Sequence, residues 1–142
     1  MKKIFMVFVL SLLFLFGLLL NTSLTQVSTP PLSTEEAEVI KPIKKLAEAW
    51  FKMDIELYMS AYHEKAIIVT ASGAKIDKKG LKKILASGMG GIHMSFNVEK
   101  IEITGDKATI ECMMKWGNKD IPRKIDLIKE GEVWLVIGYW LR

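Results

Sequence analysis

The chain has 142 residues, half of them hydrophobic and a quarter charged, with a net charge of +4 and one cysteine. That length holds one ordinary domain. The apolar content excludes low-complexity disorder, a lone cysteine excludes an intrachain disulfide scaffold, and one long apolar run excludes a multi-span membrane protein.

The opening Met1-Lys2-Lys3 leads into an uncharged run from Ile4 to Leu20. A positive stub ahead of an apolar segment is the pattern of an export leader. The run is slightly long for a leader's apolar core and short of the roughly 20 residues of a typical membrane span. Residues 1–23 are therefore expected to be a signal peptide or an N-terminal membrane anchor. The protein would be exported, periplasmic or extracellular, or tethered by an uncleaved leader, meeting the membrane only through this segment. Residues 24–33, rich in Thr, Ser and Pro, read as a linker, and residues 34–142 as the domain. Setting aside Lys2 and Lys3 turns 20 basic against 16 acidic residues into 18 against 16, which is near neutral. Lys75, Lys78, Lys79, Lys82 and Lys83 cluster on a short helical segment without interleaved arginine or aromatic residues. They read as a solvated face, and no nucleic-acid partner is expected.

Ser33 followed by Glu36 forms a capping box that starts a helix. Val39, Ile43, Leu46, Ala47 and Trp50 make one helical stripe. Pro42 lacks a backbone donor, so the helix either kinks there or begins its regular part there. Asp54 is placed to cap a second short helix with Leu57, Tyr58, Ala61 and Tyr62 facing inward. His63 would stand at that helix's end. Ala66 to Thr70 is a β-branched run bounded by Ala71-Ser72-Gly73, which predicts a strand. Asp77 caps a third helix with an apolar stripe of Leu81, Ile84 and Leu85, ended by Gly88, Gly90 and Gly91.

From there the period is two. Met94, Phe96 and Val98 alternate with polar residues, then Ile101 and Ile103 continue on the other parity. Such a slip predicts a β-bulge at Glu99-Lys100. Ala108, Ile110, Cys112, Met114 and Trp116 share one face of the next strand, opposite Glu111. Ile121, Arg123, Ile125 and Leu127 alternate along another. Val133 to Leu141 is apolar on both faces and should sit centrally, with Trp134 and Trp140, of equal parity, as packing anchors. Helices followed by a meander indicate α+β: a cone-shaped, curved antiparallel sheet wrapped over N-terminal helices.

In this order and spacing, the chain resembles the nuclear transport factor 2-like superfamily, in particular its ketosteroid-isomerase-like and SnoaL-like cones. The resemblance covers about Thr34 to Trp140. It is carried by Ala49-Trp50-Phe51-Lys52-Met53-Asp54, Tyr58-Met59-Ser60-Ala61-Tyr62, the strand Ala66 to Thr70, Asp77-Lys78-Lys79-Gly80-Leu81, Gly105-Asp106-Lys107-Ala108, and Gly131-Glu132-Val133-Trp134-Leu135-Val136. It implies a ligand site between the helices and the concave face of the sheet, with Trp50, Tyr58, Tyr62, His93, Cys112, Met114 and Trp116 as pocket-side candidates. It also implies that Asp54 is structural, and that a homodimer through the sheet is an option, to which Met113 on the otherwise polar face adds a hint.

Isomerase chemistry needs a carboxylate in an apolar pocket and an acid donor, yet the inner face from Ala108 to Trp116 carries no carboxylate. His93 is the one weak catalytic candidate. Two histidines and one cysteine, widely spaced, make no metal site, and no cofactor motif is present. The expectation is a domain that binds a small apolar ligand or a protein partner, with a small lyase or isomerase as the alternative.

Overall fold

In the computed structural model, which describes residues 31–70 and 72–141, Ser33 opens the first helix as its sequence demands. Its hydroxyl accepts from the Glu36 amide at 3.2 Å, and the Glu36 carboxylate accepts from the Ser33 amide at 2.8 Å. That helix, α1 (Thr34–Val39), ends at Ile40, which is also the N-cap of α2 (Lys41–Lys52). Pro42 thus lies in the first turn of α2, where its missing donor costs nothing. Val39, Ile43, Leu46, Ala49 and Trp50 are all buried on one stripe. Met53 terminates α2 in the left-handed conformation (φ 55°). Asp54 then caps the short α3 (Ile55–Met59), its Oδ1 accepting from the Leu57 amide at 2.9 Å.

Strand β1 (Tyr62–Val69) begins earlier than the β-branched run suggests. His63 is consequently a strand residue and not a helix end, and its Nε2 pairs with Glu130 at 2.8 Å. A short β2 (Lys75–Asp77) precedes α4 (Lys78–Ser87), which Asp77 caps through the Gly80 amide at 2.7 Å. Two lysines of the basic cluster are held in ion pairs, Lys78 with Glu64 and Lys82 with Glu56. The meander follows as β3 (Met94–Thr104), β4 (Lys107–Trp116), β5 (Lys119–Glu130) and β6 (Val133–Leu141).

The six strands form one open sheet in the order β2-β1-β6-β5-β4-β3. It is mixed where the sequence suggested a wholly antiparallel one. Strands β1 and β6 run parallel, because the helical segment α4 and the whole meander intervene before β6 returns beside β1. All other pairings are antiparallel. The expected bulge falls between Val98 and Lys100. A second one lies in β6, where Leu127 pairs with Val136 but Asp126 pairs with Gly138. The extra residue, Ile137, switches parity. Trp134 is therefore buried, whereas Trp140 turns outward and donates its Nε1–H to Asp126 at 2.7 Å. The core lies between the helices and the concave face, around Ile43, Leu46, Ile110, Ile125, Leu127 and Val136. No helix among the described residues is long and apolar enough to cross a membrane; the leader at 1–23 and most of the linker lie outside those residues.

Candidate functional site

At one end of the cone the core gives way to a cavity of about 280 Å³, near the lower end of the range of ligand pockets, roughly 300–1,000 Å³. Its helical wall comes from the last turn of α2, from α3 and from Leu81 and Leu85 of α4. Trp50 is held by a hydrogen bond from its Nε1–H to the Ile92 carbonyl at 2.8 Å. It packs tilted on Trp116 with ring centres 4.6 Å apart and edge-on to Tyr58 at 6.1 Å. Tyr58 in turn lies 5.8 Å from Tyr62. The sheet wall adds Met114 and Tyr139, whose hydroxyl donates to the Met114 Sδ at 3.0 Å. The side toward solvent is framed by Thr70 and by Ile84 and Gly88 of α4 and its cap, the last two exposed.

Of the seven candidate positions, the fold brings five together here: Trp50, Tyr58, Tyr62, Met114 and Trp116. Two fall elsewhere. Cys112 shares the inner face of β4 but is wholly buried in the core beneath the cavity and does not line it. His93 precedes β3 and is exposed. It borders a separate recess with Phe51, Met53 and Ile92, because the Gly88–Gly91 segment carries the chain outside the cone before the strand begins at Met94. Trp50 borders both spaces.

One lining residue was not among the candidates. Arg123 on β5 is only 4% exposed. Its side chain reaches across β6, its guanidinium lying 4.9 Å from the centre of the Tyr139 ring, to donate from Nη1 to the Val69 carbonyl of β1 at 3.1 Å. Its Nε is buried without a hydrogen-bond partner. The signal was present in the sequence, since Arg123 occupies the apolar parity between Ile121 and Ile125.

Burial pushes the Tyr58 hydroxyl up in pKa, and pushes those of Tyr62 and Tyr139 well above the usual tyrosine value; the Arg123 charge pulls all three the other way. All three stay protonated around neutrality. No carboxylate or histidine is among the described residues that line the cavity. Among the described residues no group of three His, Cys, Asp or Glu side chains comes together to hold a metal.

No protein-family profile matches this sequence, and no curated protein matches it either. Solved structures do. A protein of unknown function with a cystatin-like fold from Nostoc punctiforme superposes with a TM-score of 0.66 at 18% identity, over 78% of this chain and 92% of that one. An NTF2-like protein of unknown function from Shewanella baltica gives 0.59 at 17%, over 77% and 94%. An NTF-2-like protein of unknown function from Silicibacter pomeroyi gives 0.63 at 13%, over 78% and 100%. The chain has the NTF2-like fold. In this NTF2-like cone the cavity lies where the helices face the concave side of the sheet, and no activity comes with the fold.

Proposed function

We propose that this domain binds a small apolar ligand in the cavity between Trp50, Tyr58, Tyr62, Met114 and Trp116. The observation that carries this reading is the cavity's lining: aromatic and apolar walls, a few polar groups, and no base poised near neutral pH. Such a site orients and desolvates a ligand but has no group to take its proton. A lyase or isomerase would need one, and its candidate, His93, borders the other recess. We further propose, from the sequence of residues 1–23 alone, that the protein is exported or tethered; N-terminal sequencing of the chain recovered from cells distinguishes a cleaved leader from a retained one.

The test of binding is a neutral, environment-sensitive dye with a single ring, 4-(dimethylamino)benzonitrile, with Met114→Trp as the blocking variant. In an open cavity the larger ring is accommodated, so the variant should melt near a Met114→Leu control, which loses the same sulfur contact to Tyr139, and should lose dye binding. In a filled core, overpacking should cost about 1–3 kcal/mol. A strongly lowered melting temperature with no dye bound by the parent would mean that the cone is solid and would remove the binding reading.

A further inference from the structure

We infer that the ligand of this cavity is a small apolar monocarboxylate, whose head group is received by the guanidinium of Arg123 while its apolar part lies against Trp50 and Trp116. The inference rests on the binding reading and adds the chemical class of the ligand.

Among the described residues that line the cavity, Arg123 is the one charged side chain, and it is almost fully buried. A guanidinium stays charged in a protein and offers five N–H donors in a planar fork. The hydrogen bond to the Val69 carbonyl engages Nη1. The guanidinium carbon also lies over the Tyr139 ring, 4.9 Å from its centre. Nε is left without a partner away from water.

Among the described residues no acidic side chain lines the cavity to balance this charge. Asp126, three residues along β5, is turned to the opposite face, where it accepts from Thr109 and Trp140. A buried charge without a counter-ion is expensive, and the missing counter-ion is what an anionic ligand would bring. A carboxylate matches the fork geometry and forms charge-assisted bonds about twice as strong as neutral ones. The Tyr62 hydroxyl donates to that of Tyr58, and the protonated Tyr58 hydroxyl lines the same space as a further donor without adding negative charge. The remaining walls are aromatic and aliphatic, and the volume of about 280 Å³ limits the apolar part to a short chain or a single ring.

The experiment compares three carboxylates (hexanoate, octanoate and phenylacetate) with their primary amides, by calorimetry on the chain as purified from cells. The amides keep size and shape and lose only the charge. The expected result is that at least one carboxylate binds ten-fold or more tightly than its amide, and that Arg123→Met abolishes the difference. On arginine labelled with nitrogen-15, the same carboxylate should shift the Nε–Hε resonance of Arg123. This readout needs no variant and survives a failure of Arg123→Met to fold.

Equal binding of carboxylate and amide would overturn the inference and leave the binding reading standing. So would an Arg123→Met protein that keeps the preference. Binding of neither class, together with no binding of the neutral dye, would overturn both. If Arg123 were only a tether between β5 and β1, its replacement would change the melting temperature without changing the carboxylate-to-amide ratio.

Discussion

The three tyrosines of this chain, Tyr58, Tyr62 and Tyr139, all line one cavity, so phenol ionisation reports on that site and nowhere else. Burial raises each of them. A group whose folded pKa lies above its unfolded value stabilises the fold fully below the unfolded value, and that contribution is lost as pH rises through the folded one. Stability should therefore be indifferent to these residues at neutrality and should fall as pH climbs beyond about 10, the ordinary tyrosine value. A spectrophotometric titration should show almost no phenolate until the chain unfolds, with the absorbance and circular dichroism transitions coinciding. Three tyrosines ionising near 10 in a folded protein would mean that the cavity is wet. At this scale the sequence was partly legible. The parity of β4 put Met114 and Trp116 on the buried face together with Cys112, and the helical stripes turned Trp50 and Tyr58 inward; that these faces meet at a cavity was implied by the resemblance alone. Arg123 escaped because a single charge on an apolar parity says nothing of what surrounds it until β6 and β1 are placed beside β5.

Capping and bulging decide how the elements meet. Helix α3 has five residues, too few to be stable by itself, so the Asp54 cap that fixes its start carries weight. Asp54→Ala should lower stability by about 0.5–2 kcal/mol, read as a shift of the denaturant midpoint, and should leave dye binding intact in the folded protein. Loss of binding at parental stability would instead place Asp54 in the site.

The bulge at Ile137 has a different consequence. A Cβ on Gly138 would run into the Trp140 indole at its Nε1 and its six-membered ring. Gly138→Ala should push the ring off Asp126 and cost about 1–3 kcal/mol, with altered tryptophan emission from the outer face of the sheet. The caps at Ser33, Asp54 and Asp77 were readable because each needs only a local pattern. The reversal of Trp140 relative to Trp134 was not, because a bulge in an apolar strand leaves no polar residue out of phase to betray it.

As a whole, Leu32–Arg142 forms a compact unit, and the described residues build a hydrophobic core that runs from Val39 to Tyr139. Deleting Met1 to Leu20 should accordingly leave a protein that unfolds in one cooperative transition; absence of such a transition would assign the leader to the core.

The mixed sheet has a further consequence in the time domain. Strands β3 to β6 pair each with the next through short turns, so their contacts are local and cheap to close. Strand β1 waits for the strand latest in sequence order, since Ile67 faces Gly138 and Ile68 faces Tyr139. Pairings between such distant segments slow folding. The Val69 edge of the cavity, and with it the carbonyl that Arg123 grips, can be in place only after that closure. Refolding followed by pulsed hydrogen exchange should protect the amides of β4 and β5 before those of Ile67 and Ile68, and the capacity to bind dye should arrive with the second group.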